Sequence, residues 1–259
     1  MAPILDGRTL EHVWFRMLRG NRPRVGQRVE RVQAVGKHLL VRFERGLVLD
    51  VHLGMTGSWR VSPDPPRPHP KLRVHLGTEA GHALCYAAPT IRTYVDGHDP
   101  APIDALGPDL SDDEVDLAEV VRRSRAGDQR RCLADLLLDQ RVAAGVGNVF
   151  KSECLHLARL DPFTEVGAIG DDDLRSVWEI AHRQLVANRE RAIRRTTPAG
   201  LRASTHVYDR HRRPCPYSHT GAPSAEWACG RNGTRAPASQ RPQPPVARRP
   251  HPRPRPPRA

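Results

Sequence analysis

Hydrophobic and polar residues alternate with a period of two through much of the first hundred positions. Between residues 28 and 88 the alternation falls into short runs, which are separated by Gly, Pro and charged turns. Such spacing is typical of a β-sandwich or barrel. Six strands are predicted, at 28–35, 38–43, 47–53, 57–61, 71–76 and 82–87. The pattern at residues 8–19 indicates a short helix.

The spacing of apolar residues becomes helical near residue 108. Ser111 and Glu114 form the signature of a capping box, and apolar residues follow at intervals of three and four. Further helices are predicted at 133–140, 149–158 and 171–191. The sequence therefore predicts an α+β protein, with a β-sandwich domain over residues 1–105 and a helical domain over residues 108–205.

Composition adds a basic charge and an unusual C-terminal segment. The 259 residues carry a formal net charge of +12, and only three of the 41 basic residues are lysine. Residues 233–259 contain seven arginines, nine prolines and no acid, which predicts a disordered tail. Two interpretations of this tail stay open. It is either a basic arm that binds nucleic acid or a non-functional stretch from a gene read through or out of frame.

The remaining composition excludes a membrane-spanning protein and a secreted disulfide scaffold. No apolar run reaches the length of a membrane span, and the first residues lack the apolar stretch of a secretion signal. Five cysteines at scattered spacing favour reduced thiols over a disulfide scaffold. We therefore expect a cytoplasmic protein with no membrane partner.

The most informative segment is residues 136–153, LLLDQRVAAGVGNVFKSE. Gly145 and Gly147 permit a close backbone approach, and Asn148 can cap the helix that follows. Free N–H groups at a helix start, with an amide side chain, form a phosphate site that Lys151 can reach one turn later. The alternative is a plain helix hairpin with a capping asparagine, which spacing alone favours because such caps are common.

The whole string resembles the helix–two-turn–helix motif of the formamidopyrimidine-DNA glycosylase/endonuclease VIII family. Further matches occur in the family's order between residues 28 and 215: VGKHLL at 35–40, HLGMTG at 52–57, LGPDL at 106–110, DP at 161–162, VY at 207–208 and RPC at 213–215. The resemblance implies a monomeric repair enzyme that flips an oxidised base out of damaged double-stranded DNA. It excises the base and nicks the abasic strand through an imine. The endonuclease VIII-like branch, which favours oxidised pyrimidines, is closer.

The resemblance also implies roles for single residues. Lys37 lies on the hairpin that carries the family's catalytic lysine, and Met55 matches the methionine that fills the space left by the flipped base. Asn148 and Lys151 would bind phosphate, and Arg92 would be a second wedge or a phosphate contact. Plain structural alternatives stay open: a solvated charge for Lys37 and Arg92, and a core position for Met55.

The start of the sequence departs from the family's pattern. The family's nucleophile is an N-terminal proline followed by glutamate, whereas this sequence begins Met1-Ala2-Pro3-Ile4. The stretch before Gly36 is predicted to be too short for the family's first helix and the strand after it. One hypothesis is that the β-sandwich is partly truncated at its start. Lys37 is then the best remaining amine.

The zinc-finger region, residues 206–232, departs as well. Each expected Cys-x-x-Cys pair keeps only its first member, Cys215 and Cys229. Two thiolates hold zinc poorly, although His211 and His219 could complete a set of four ligands.

The predicted function is a DNA glycosylase with abasic-site lyase activity. Two alternatives stay open, namely a catalytically inactive relative that binds damaged DNA and, on weaker grounds, an RNA-binding protein.

Overall fold

The computed structural model describes residues 1–99, 101–191 and 193–210. The strands are β1 (His12–Phe15), β2 (Val29–Val35), β3 (His38–Phe43), β4 (Leu47–His52), β5 (Ser58–Ser62), β6 (Leu72–Thr78), β7 (Gly81–Tyr86) and β8 (Thr90–Val95). The helices are α1 (Ala2–Leu5), α2 (Leu117–Ala126), α3 (Leu133–Leu138), α4 (Asn148–Ala158) and α5 (Asp171–Asn188).

The strands form two four-stranded antiparallel sheets, which confirms the predicted β-sandwich. One sheet has the order β1-β6-β7-β5 and the other β2-β3-β4-β8. Alternate side chains of each sheet point inward, and Val41 and Phe43 of β3 share a fully buried cluster with Val74 and Leu76 of β6. Leu5 of α1 enters the same cluster, so this short helix packs into the sandwich core.

Two elements of the sandwich differ from the sequence-based expectation. The predicted helix at 8–19 is wrong, because His12–Phe15 forms β1 and pairs with β6 in register from His12↔Gly77 to Phe15↔Val74. Periodicity cannot separate a helix from a strand over so few residues, and here pairing with β6 decides. Strand β8 was not predicted. The region before Gly36 contains the four-residue helix α1 and strand β1, and the partial truncation of the sandwich at its start stays a prediction.

The helical domain is also confirmed, with a correction at its start. Helix α2 begins at Leu117 and is capped by Asp116, whose side chain accepts from the Glu119 N–H at 3.0 Å. The predicted capping box at Ser111 is therefore wrong. In the core of this domain Trp178 is fully buried, and its indole N–H donates to the hydroxyl of Ser124 at 3.1 Å.

Several predictions concern residues 211–259, which lie outside the described residues. They include the two zinc-finger cysteines, Cys215 and Cys229, and the arginine- and proline-rich segment 233–259. Within the described ranges, no helix has the length and apolar character that crossing a membrane requires.

Candidate nucleic-acid interface

The turn between β2 and β3 packs against the connection between α3 and α4. Gly36 in this turn has φ of +55°, a conformation that glycine adopts without strain. A Cβ at Gly36 would lie 3.0 Å from the Cβ of Ala144 and 3.7 Å from the backbone nitrogen of Gly145. A side chain here would push the two elements apart. The glycine therefore allows the hairpin to rest directly on the helical domain.

The carboxylate of Asp109 ties this hairpin to the linker between the domains. One oxygen accepts from the backbone N–H of Gly36, and the other accepts from the N–H and hydroxyl of Ser111 at 2.9 and 2.8 Å. The linker is held in turn by the α3–α4 connection, because Ala144 donates to the carbonyl of Pro108 at 2.8 Å. Asp109 thus sets the position of the neighbouring Lys37.

Replacing Asp109 with alanine is expected to lower the free energy of unfolding by roughly 1–3 kcal/mol, because it leaves partly buried donors without an acceptor. Affinity for DNA should fall as well, since the hairpin loses its anchor. Urea unfolding and duplex titration measure the two effects. The exposed Asp64 supplies the control, and equal losses in Asp64→Ala would contradict the anchoring role.

Lys37 lies over the start of α4. A Cβ placed on Gly147 would be 3.7 Å from Cε and 3.8 Å from Nζ of Lys37. Gly147 is the residue that precedes the first turn of α4, and no side chain caps this helix start. The lysine charge and the positive end of the helix dipole therefore act on the same space. Together they favour an anion such as a phosphate.

Asn148 and Met55 meet beside this helix start. The predicted cap at Asn148 is wrong, since Gly147 occupies the capping position and Asn148 is the first helical residue. Its amide nitrogen lies 3.9 Å from the sulfur of Met55 instead. Met55 is 77% exposed, so the interpretation as a core methionine is wrong too. The surface thus presents an amide donor and a projecting apolar side chain side by side.

A buried carboxylate holds the strands beneath the hairpin. Asp50 is fully buried and accepts from Nδ1 of His38 at 2.8 Å and from Nε of Arg92 at 2.9 Å. Burial by itself would raise the pKa of Asp50, but these two hydrogen bonds hold it below its usual value. Arg92 is therefore engaged through Nε, and its side chain remains 39% exposed. Its role as a wedge or phosphate contact stays a prediction.

Lys151 and His52 also lie near this surface. Lys151 is only 2% exposed, so its stem is enclosed by protein rather than spread on the surface, and its contact with phosphate stays a prediction. His52 was not singled out from the sequence. It pairs with His38 across β3 and β4, and their rings lie 5.0 Å apart. The only signal was its place at the head of HLGMTG.

Two of the three described thiols, Cys85 and Cys154, are poor candidates for catalysis. Burial raises the pKa of Cys85 to about 12 and raises that of Cys154 as well, so neither provides a thiolate near neutral pH. Among the described residues, no group of three or more His, Cys, Asp or Glu side chains is arranged to hold a metal. As printed, the sequence offers two thiolates, Cys215 and Cys229, where a four-thiolate zinc site needs twice that number.

Comparisons with known proteins place the chain among DNA glycosylases. Residues 1–93 match the formamidopyrimidine-DNA glycosylase N-terminal domain, and residues 106–197 match the helix–two-turn–helix domain of the same family. The chain is 39% identical over 217 residues to the probable endonuclease 8 2 of Streptomyces coelicolor, covering 82% of this chain and 78% of that protein.

Two other proteins of this kind are similar to the chain, one in sequence and one in both sequence and structure. The abasic-site lyase Nei2 of Mycolicibacterium smegmatis is 35% identical over 219 residues, covering 83% of this chain and 84% of that protein. The crystal structure of the formamidopyrimidine-DNA glycosylase of Thermus thermophilus superposes with a TM-score of 0.70 at 30% identity. The match covers 86% of this chain and 87% of that one.

Proposed function

Because this chain belongs to the formamidopyrimidine-DNA glycosylase family, we propose that it excises oxidised bases from damaged duplex DNA and cleaves the strand at the resulting abasic site. The resemblance to the endonuclease VIII-like branch favours oxidised pyrimidines as the preferred lesions, and relatives named endonuclease 8 agree with that branch. In this proposal the protein works as a cytoplasmic monomer at the nucleoid. The duplex lies between a β-sandwich domain, residues 1–105, and a helical domain, residues 108–205.

One observation carries this proposal: Lys37, Asn148 and Met55, from three distant parts of the chain, meet at the start of α4. Nζ of Lys37 lies within 3.8 Å of the position that a Cβ on Gly147 would take. The amide of Asn148 lies 3.9 Å from the sulfur of Met55. An amine, an anion-binding helix start and an apolar wedge suit the flipping of a base and its excision by an amine.

The phosphates beside the lesion would bind at the start of α4. The backbone N–H groups there and the Asn148 amide donate to phosphate oxygens, and Lys37 adds its charge. Arg92 donates to Asp50 through Nε only. Its two Nη groups can therefore donate to a neighbouring phosphate. Lys151 lies within the first turn of α4, and its charge adds to the positive potential at the start of this helix. His52, next to His38, is a further candidate donor.

The chemistry assigned to this site is amine catalysis. A neutral amine attacks C1′ of the sugar, and the damaged base leaves with the bonding electrons and takes up a proton. The bound nitrogen then loses a proton, and its lone pair forms the C1′=N bond as the C1′–O4′ bond of the sugar ring breaks. O4′ takes up a proton, and the ring-opened sugar is joined to the amine as an imine. Loss of a proton from C2′ allows the C3′–O bond to break, which nicks the strand. Lys37, whose Nζ lies beside the start of α4, is the amine proposed for this step.

Trapping with borohydride tests the proposed function. The full chain is incubated with duplex DNA containing one abasic site, with borohydride present to reduce any imine. A covalent protein–DNA adduct, together with incision of a duplex carrying an oxidised pyrimidine, is the expected result. Retained binding without an adduct would indicate a non-catalytic DNA-binding protein and overturn the enzymatic proposal. Tighter binding to RNA than to duplex DNA would overturn the choice of partner.

Replacing Met55 with alanine is expected to weaken binding to abasic duplex roughly tenfold, because the wedge that occupies the flipped-out base's place is removed. The melting temperature should not change, since the side chain is 77% exposed. Fluorescence anisotropy and thermal unfolding measure the two quantities. Val61→Ala, at a side chain 52% exposed on β5, is the control. A similar loss of affinity in both variants would contradict the wedge.

A further inference from the structure

An open cavity of about 360 Å³ lies beside the candidate interface, at a place that no step above uses. Its lining includes Met17 and Arg19 from the β1–β2 connection, Arg73 from β6, and the loop residues Ala88 and Pro89 before β8. No acidic side chain contributes to the lining. The cavity therefore combines two guanidinium groups with a largely apolar floor.

The two arginines have donors left to bind a ligand. Nε of Arg73 is buried and has no hydrogen-bond partner. Its Nη1 lies 2.9 Å from the sulfur of Met17, which is a weak acceptor. The guanidinium of Arg19 makes neither an ion pair nor a hydrogen bond with any residue in the described part of the chain. Nη2 of Arg73 and the guanidinium of Arg19 are therefore the donors that an anionic oxygen in the cavity would meet.

The backbone holds Arg19 in place, so the cavity is a built feature. The Arg19 N–H donates to the carbonyl of Ile91 at 3.1 Å, and its carbonyl accepts from the N–H of Thr93 at 2.8 Å. At the next residue, a Cβ on Gly20 would lie 2.5 Å from the carbonyl oxygen of Thr93. Residues 19 and 20 therefore fit closely against β8 and present the arginine from a fixed position.

The cavity shares a wall with the turn that carries Met55. A Cβ on Gly54 would lie 2.8 Å from Cγ of Pro89, so this turn and the cavity loop are in direct contact. The hydroxyl of Thr56 donates to the carbonyl of Ala87, at the other end of the same loop, at 3.3 Å. A DNA strand that receives the Met55 wedge would pass close to the cavity mouth.

We propose that this cavity binds one backbone phosphate of the DNA, near the flipped nucleotide, with Arg19 and Arg73 as the donors. The inference rests on the proposed function and adds a second phosphate site to the one at α4. Guanidinium groups bind phosphate oxygens in pairs of parallel hydrogen bonds, which suits an anion enclosed between two arginines. The apolar floor matches the sugar that accompanies a phosphate.

The test measures how duplex affinity depends on salt. The Arg19→Gln/Arg73→Gln double variant is titrated with a short duplex containing a reduced abasic site, at a series of salt concentrations. Loss of one phosphate contact should reduce the slope of log affinity against log salt by about 0.9 and weaken binding roughly tenfold at low salt. Arg24→Gln/Arg67→Gln removes the same charge at exposed positions outside the cavity and is the matched control.

Several outcomes would overturn the inference. An unchanged slope in the double variant, while the native chain binds duplex normally, rejects the cavity site alone. An equal loss in the control variant assigns the effect to general charge. Loss of binding to inorganic phosphate with an unchanged duplex slope assigns the cavity to a free anion. If the native chain fails to bind damaged duplex, the proposed function fails and the inference fails with it. Arg19→Gln alone, at an exposed residue, keeps the test valid if Arg73→Gln impairs folding.

Discussion

Replacing Lys37 with glutamine is expected to reduce strand cleavage at an oxidised base by about a hundredfold or more and to abolish the borohydride adduct. Glutamine keeps much of the length of the side chain but has neither a nucleophilic amine nor a charge. The amine lies over the start of α4, where the sugar beside a bound phosphate would be placed. Single-turnover incision and trapping on abasic duplex measure the effect.

Two companion variants separate the possible roles of Lys37. Lys37→Arg keeps the positive charge without a nucleophilic amine, so it should retain duplex binding but form no adduct. If Lys37 only binds phosphate, Lys37→Arg should instead keep most of the incision activity, and catalysis by this amine would be rejected. Lys71→Gln removes another of the three lysines, at an exposed position before β6, and should leave incision unchanged.

Replacing Glu153 with glutamine is expected to lower the free energy of unfolding by roughly 3 kcal/mol. Glu153 is fully buried on α4. It accepts from the hydroxyl of Thr196, from both the backbone N–H and Nδ1 of His206, and from the N–H groups of Val207 and Tyr208. The four distances other than that to Thr196 are 2.7–2.9 Å. Glutamine cannot accept at both ends of the side chain, so buried donors lose their partner.

The pH dependence of stability gives an independent test of this carboxylate. Burial would raise the pKa of Glu153, but the hydrogen bonds from His206, Thr196 and backbone N–H groups lower it from 4.5 to about 2. Because the folded-state pKa is the lower one, the stabilisation is complete above about pH 4.5 and is lost as the pH falls toward 2.

Urea unfolding over this pH range should therefore show the difference between native chain and Glu153→Gln shrinking on acidification. The exposed Glu165 provides the control, since Glu165→Gln should leave stability nearly unchanged. A constant difference between native chain and Glu153→Gln from pH 7 to pH 2 would contradict the role assigned to the ionised carboxylate.

The sandwich shows where sequence patterns were sufficient. Strands β2 to β7 were each predicted within a few residues of their observed bounds, because Gly, Pro and charged turns separate the apolar runs. Strands β4 and β7 are buried along nearly their whole length instead of on one face. Strands β1 and β8 were missed, because β1 has only four residues and the pattern before β8 is interrupted by Pro89. In both cases pairing with a distant strand, β6 or β4, decides the conformation.

The candidate site shows a similar division. Motif resemblance identified Lys37, Asn148 and Met55 one by one, but not their relation to each other. The amide of Asn148 faces Met55, 93 residues earlier in the chain, instead of capping its own helix. His52 and Glu153 were not singled out at all, because their importance lies in long-range contacts: a ring contact with His38 and hydrogen bonds to residues 196–208.

Helical and strand periods and short motifs are local properties of the chain, so sequence patterns were enough to predict the family, the α+β class and the residues with suitable chemistry. The tertiary structure alone decided that the hairpin at Gly36 rests on Ala144 and that Lys37 therefore lies over the start of α4. It also decided that Met55 projects into solvent and that Arg19 and Arg73 share a cavity. These relations depend on close packing and hydrogen bonding between distant segments, which no local period encodes.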